Sequence, residues 1–353
     1  MPTFTLMPLM KCRAIALLLA LGVAAAACQA RHDGAETAAL PPVGHYEGSL
    51  SVAGQPEVRA ALDIRHPSPG HYEAELSAPA ASALSFVADT IFFANNQLRL
   101  VRPARPGQAL ALTLDGDFWR GALTLDSVQA SLILLRRGEP SPSTYRVEQV
   151  PQANGSAWLF SPADTGTAGP AVALLPDSAT AAAAPLWADA LARNGVIALV
   201  LPATGDATVA AEIPRLEAAL RLLHGTAGAD TATLGAWAAG PRTAALAQAL
   251  RGADGLRVAF AIIQNAAAGP EERTALRELR KQKLPVLGLY GGPAGTARAA
   301  TLRNAMGGRR DATVRAYRTA GTDLLVPGGL GPRLGPGLPD DVLEWLRGRS
   351  AAQ

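Results

Sequence analysis

From residue 171 onward the chain alternates short, continuous apolar runs with amphipathic stretches, and this alternation restricts the fold more than any other feature. "AVALLP" (171–176), "GVIALVLP" (195–202), "TATLGA" (231–236), "RVAFAIIQNA" (257–266) and "LPVLGLY" (284–290) are too uniformly apolar to keep one face wet. Between them lie "PLWADALARN", "RLEAALRLLHG", "PRTAALAQALRG", "EERTALRELRKQK" and "ARAATLRNAMG", and the series closes with "TVRAYRT" and "PDDVLEWLRGR". Strands buried on both faces and joined by helices predict a doubly wound, mostly parallel α/β sheet with right-handed crossovers.

The preceding part of the chain has a different grain. "HYEGSLSV", "VRAALDIR", "GHYEAELSA", "TIFFANNQLRL", "QALALTLDGDFWRGALTL" and "VQASLILLRR" alternate apolar and polar residues in short runs separated by Gly, Pro, Asn or Asp. This predicts a small antiparallel β meander or barrel over 43–140. The stretch "RRGEPSPSTYRVEQVPQANGS" is rich in Pro and Ser, so a linker is expected over 141–155, with the α/β domain over 156–353.

At the N-terminus, Lys11 and Arg13 precede "AIALLLALGVAAAAC", an apolar run too short to span a bilayer and charged in the order of a signal peptide. Met10 is an alternative start to Met1. The run ends in Ala25, Ala26, Ala27 and Cys28, a pattern that resembles a bacterial lipobox, in which the cysteine is lipidated. Residues 1–27 are then a lipoprotein signal peptide and 28–42 a polar tether. The only other cysteine, Cys12, leaves with the signal, so no disulfide is available to the mature chain and an unlipidated Cys28 would be a lone exposed thiol. The expected partner is the bilayer, reached through Cys28. Gln29 does not resemble an inner-membrane retention signal, so the outer membrane is expected if the source is a diderm bacterium. Plain signal cleavage, leaving a secreted or periplasmic protein, is the alternative.

Charge argues against nucleic acid: 32 Lys and Arg stand against 29 Asp and Glu, and the only dense basic run, "RKQK", ends a predicted helix. With 35 glycines, spacings such as "GGPAG" arise without meaning, and no phosphate-binding pattern opens a helix, so no cofactor is expected. His45, His66 and His71 are scattered near strand ends, which predicts surface residues and no metal site.

Taken in order, "HYEGSLSV…YEAELSAPA…GDFWRGALTLDS…SLILLRR", "GPAVALLPDSA", "WADALARNGVIALVLPATGDAT", "ATLGAWAAG" and "VAFAIIQNAAAG" resemble successive blocks of a bacterial family of α/β-hydrolase esterases with a small N-terminal β-domain. The resemblance covers most of the chain after residue 43. It implies a G-x-S-x-G nucleophile turn on Gly235, Ala236, Trp237, Ala238 and Ala239, with Trp237 where the serine belongs. It puts the acid near Ala294 and the histidine near Leu324. The His-Gly pair of the oxyanion loop falls on Pro176 and Asp177, one without an N–H and the other with the wrong charge for a developing oxyanion. The helical insertion that usually covers the pocket is reduced to "QNAAAGPEERTALRELRKQK".

A count independent of alignment points the same way. The α/β domain holds Ser156, Ser161, Ser178 and Ser350, no cysteine and a single histidine, His224. In this fold the order is Ser, acid, His, and within this sequence no histidine follows residue 224. Ser178 with His224 is a weak alternative pair, and Asp206 and Asp323 are expected in loops at the active edge. The leading expectation is a membrane-anchored, hydrolase-like protein without a triad that binds an unknown small-molecule or protein ligand. Its rival is an active carboxylic-ester hydrolase using non-standard residues, and a third reading makes the β-domain a lipid or glycan binder. If the lipobox is real, Cys28→Ser abolishes metabolic fatty-acid labelling and detergent partitioning; persistence of either rules the anchor out.

Overall fold

The computed structural model describes residues 40–88, 90–126, 128–152, 155–203, 209–252, 257–267, 269–307, 312–328 and 332–350. The expected signal peptide, Cys28, most of the tether and Asp206 lie outside the described residues. No helix among the described residues is long and apolar enough to cross a membrane.

The first domain is a nine-stranded antiparallel sheet. Its strands are β1 (Gly44–Ser51), β2 (Val58–Ser68), β3 (His71–Ser77), β4 (Phe86–Ala88), β5 (Ile91–Ala94), β6 (Gln97–Arg102), β7 (Arg105–Asp115), β8 (Phe118–Leu125) and β9 (Val128–Gly138), in the order β4-β3-β2-β1-β9-β8-β7-β6-β5. The sheet curls until β4 lies against β6, a near-barrel. Alternation sends Leu98, Leu100, Leu110, Leu112, Leu132 and Leu134 inward around the fully buried Trp119, which meets Tyr46 edge to face at 6.0 Å. Gly48 sits where a Cβ would run into the backbone carbonyl of Ile133, so only glycine permits this close coil of β1 on β9. A 3-10 turn, Pro79–Leu84, joins β3 to β4; it and β4 were not legible as separate elements. His45 is held between Asp63 (2.8 Å) and Glu47 (3.2 Å), and His66 stacks on Tyr72. Among the described residues no group of three His, Cys, Asp or Glu is arranged to hold a metal ion.

The second domain is an eight-stranded sheet of β10 (Tyr145–Gln152), β11 (Gly155–Pro162), β12 (Gly169–Leu175), β13 (Ile197–Val200), β14 (Ala229–Ala239), β15 (Phe260–Gln264), β16 (Val286–Gly291) and β17 (Ala312–Tyr317), ordered β10-β11-β13-β12-β14-β15-β16-β17. The first two strands run antiparallel to their neighbours and the remaining pairings are parallel. Residues 145–152, expected within a linker, instead form the edge strand β10. Its alternating "YRVEQVPQ" buries Tyr145 and Val147 and leaves Arg146 and Glu148 in solvent, as an edge position allows. The connection between the domains is thus shorter than expected, and the α/β domain begins at Tyr145.

Helices cover both faces. Successive residues of each central strand face opposite ways: Ala171 and Ala173 of β12 belong to one core, Val172 and Leu174 to the other. The first core packs under α2 (Val209–His224), α3 (Arg242–Gly252), α4 (Pro270–Lys281) and α5 (Gly295–Ala305). The second packs under α1 (Ala184–Ala192) and α6 (Asp340–Ser350). A small ribbon, β18 (Leu325–Val326) with β19 (Arg333–Leu334), precedes α6.

The two domains are joined by buried and partly buried ions. Arg193, just past α1, donates to Glu75 of β3 at 2.8 Å and to Asp189 at 3.2 Å, with its guanidinium 4.9 Å from the Tyr145 ring centre. Tyr145 donates its hydroxyl to Asp189 and accepts the amide of Val87 at 3.0 Å. Arg65 donates to Glu75 at 3.1 Å, to Glu73 at 3.3 Å and to the Ser141 carbonyl, which pins the connection down. Removing one partner from such a cluster leaves the others desolvated and uncompensated. Arg193→Ala therefore lowers stability by about 2–3 kcal/mol, read from the urea midpoint; an unchanged midpoint contradicts a structural role for this ion pair.

Candidate functional site

In a parallel α/β sheet the groups available for chemistry collect at the carboxyl ends of the strands. Here that edge is formed by the ends of β12, β14, β15 and β16 and by the loop after β17. The structure corrects the position of the expected turn. Trp237 lies inside β14, paired with Leu174 of β12 and Ile262 of β15, and the ladder continues to Ala239 opposite Gln264. The chain turns at Gly240, which has a φ of +50°, and α3 starts at Arg242. The small-residue spacing "GAWAAG" matched the turn three residues too early, because β14 has a parallel neighbour on each side to extend along.

Gly240 thus holds the tip of the strand-to-helix turn, where an α/β-hydrolase exposes its nucleophile. It carries no side chain, and the Cβ it lacks would collide with the carboxylate of Asp177. Asp177 follows β12 and is held by Thr180: its Oδ1 accepts the Thr180 amide at 2.9 Å and the Thr180 hydroxyl at 2.8 Å. The Asp177 amide in turn donates to Thr180 Oγ1 at 3.0 Å. This turn occupies the amide that the oxyanion loop would need. The other donor of such a hole is the amide of the residue after the nucleophile, and here that residue is Pro241, which has none. The Asp177 amide is thus spent on Thr180, and position 241 has no N–H.

Trp237, 2% exposed, faces α1 and α6. Its Nε1 donates to Gln264 Oε1 at 3.0 Å, and its ring lies 4.8 Å from that of Trp187 of α1. Gln264 Nε2 donates to the Thr322 carbonyl at 3.3 Å; Asn265 Nδ2 donates to the same oxygen, and Asn265 Oδ1 accepts the Gly291 amide at 3.0 Å. The ends of β14, β15 and β16 and the following loop are thereby tied together. The space left among Pro176, Thr180, Trp187, Trp237, Ala239 and Gln264 is a cavity of about 10 Å³, at the threshold for a single water.

The other expected positions fall as follows. Leu324, fully buried at a φ of +67°, shares a core with Trp237. Ala294 is exposed and precedes α5. Asp323 accepts the Leu325 amide at 3.0 Å within its own turn. Ser178 is exposed near the carboxyl end of β12, whereas His224 is exposed at the end of α2, just before β14 begins. A strand of seven residues (β12) separates those two edges, roughly 20 Å at the usual rise, so Ser178 and His224 are not brought together.

Behind the turn, Glu212 of α2 accepts from Arg242 at 2.6 Å and Arg215 at 2.8 Å, all three buried, and Arg215 reaches the Pro202 carbonyl at 3.1 Å. Burial lowers the Arg242 guanidinium below its ordinary value, with Glu212 pulling the other way. The cluster anchors the first turn of α3 to α2. Thr180, Gln264 and Asn265 were missed in the sequence, although the polar "QN" that ends the apolar run "AFAII" marks a strand end facing something polar.

No family model and no curated protein matches the chain. Among solved structures it is similar to the AtxE2 isopeptidase (13% identity, TM-score 0.43, 83% of this chain and 61% of the other). It is also similar to a cold-adapted esterase from an Arctic intertidal metagenomic library (16% identity, TM-score 0.39, 59% of this chain and 96% of the other). The chain spans about three fifths of the length of the isopeptidase.

Gly240→Ala forces a Cβ into a left-handed backbone position and against Asp177. It destabilises the domain by about 2–3 kcal/mol, and Asp177→Ala in the same chain recovers about 1 kcal/mol of that by a double-mutant cycle. Strict additivity of the two changes contradicts the contact.

Proposed function

We propose that this protein is an envelope lipoprotein whose α/β-hydrolase-like domain is kept for binding and does no ester chemistry. The observation that carries the reading is the carboxyl edge itself: a glycine at the turn, a carboxylate beside it, no free oxyanion donor and about 10 Å³ of space. An acyl-transfer site needs a nucleophile with a base in reach and donors aimed at the oxyanion, in a pocket that admits the acyl group. Each requirement is unmet among the described residues at this edge.

Support for the hydrolase relationship comes from the strand order, with two leading antiparallel strands and a strand-turn-helix at Gly240 after the central β14. Support for anchoring comes from Cys28 at the end of an apolar leader, with a polar stretch before β1 long enough to serve as a tether.

Treatment of the purified protein with a fluorophosphonate probe and with short-chain aryl esters tests the reading. The expected result is no covalent adduct by intact mass and no turnover above buffer. An adduct mapped to Ser178, lost in Ser178→Ala together with turnover, overturns it in favour of an active carboxylic-ester hydrolase.

A further inference from the structure

An open cavity of about 510 Å³ lies where the two domains meet. Its walls are the 3-10 turn of the first domain, the outer side of α1 and the segment from β19 to Pro339. Leu186 and Leu338, both largely buried, supply apolar lining, while Ser82, Asn194 and Arg333 bring a hydroxyl, an amide and a guanidinium to it. Volume, position between domains and an apolar lining with a few polar groups are the marks of a small-molecule site.

The charges decide what such a site accepts. Asp189 and Arg193 also line the cavity, but each is already engaged, Asp189 by Tyr145 and Arg193, and Arg193 by Asp189 and Glu75. Arg333 differs, because among the described residues no carboxylate pairs with it. The cavity therefore presents one uncompensated cation at the edge of an apolar wall. Arginine's planar fork matches a carboxylate in two parallel hydrogen bonds.

We propose that this interdomain cavity binds a small aliphatic monocarboxylate, its carboxylate on Arg333 and its chain against Leu186 and Leu338. The proposal rests on the binding role given above and names its site and ligand class. It places the ligand on the opposite side of α1 from the filled carboxyl edge, since Leu186 and Asp189 line this cavity whereas Ala184 and Trp187 line the other.

Isothermal calorimetry on the purified protein tests it with octanoate, octan-1-ol and octylamine. Octanoate binds, octan-1-ol binds about tenfold more weakly, as expected for loss of a charge-assisted hydrogen bond, and octylamine does not bind. Arg333→Glu weakens octanoate about tenfold or more and leaves octan-1-ol unchanged. Ser82→Trp, which fills the cavity from an exposed position, weakens both. Both side chains are exposed and neither supports the core, so circular dichroism and the urea midpoint stay at wild-type values. Absence of octanoate binding, equal binding of octylamine, or indifference of octanoate binding to both substitutions overturns the proposal. A phosphonate adduct would instead overturn the non-catalytic reading, so the two fail separately.

Discussion

The indole N–H of Trp237 on Gln264 is the contact around which the carboxyl edge of the sheet is closed. Trp237 points from the central strand toward α1 and α6 and packs into the core they cover. A buried indole donor without a partner is costly, and Gln264 meets that need while passing a second hydrogen bond to the Thr322 carbonyl. Asn265 repeats the pattern one residue on, bonding the same carbonyl and the Gly291 amide. Three strand ends and one loop are locked by two amide side chains. The ring of Trp187 lies 4.8 Å from the indole at a tilt of 58°, and its own N–H has no partner among the described residues.

Much of the fold was legible because its strands are buried. Runs such as "AVALL" and "FAIIQ" have no wet face, and the helices between them show their apolar side at regular spacing. The antiparallel domain was legible for the complementary reason, since partial alternation in "QLRLVR" and "VQASLILL" points one face inward. What escaped were edges. The strand "YRVEQVPQ" reads as a connection because its Pro and charged residues suit an edge strand equally well. Within the candidate site, side-chain types were legible and register was not. Gly235 to Ala239 satisfies the spacing of a nucleophile turn, but where β14 stops depends on how far β15 runs beside it, which is information held by another segment. That no histidine follows residue 224 within this sequence is a count that needs no register.

Domain joining and site closure meet in one helix. The first residues of α1 line the small space under Trp237, its last turn carries Asp189 into the ion cluster with Arg193 and Tyr145, and Arg193 continues to Glu75 in the other domain. Burying these charges is unfavourable unless each is paired, so the cluster fixes the relative position of the domains more than it adds stability. The same helix lies between the small space beside Trp237 and the larger interdomain cavity, Ala184 and Trp187 lining one and Leu186 and Asp189 the other.

Hydrogen exchange of the Trp237 indole N–H, followed by NMR on protein labelled at its five tryptophans, tests most directly whether the edge is closed. With the donor buried on Gln264, exchange waits for global unfolding and its protection matches the free energy from urea denaturation. Exchange within minutes at neutral pH, under conditions where the core amides of β14 remain protected, would show that water enters this edge in the native state and would contradict the account.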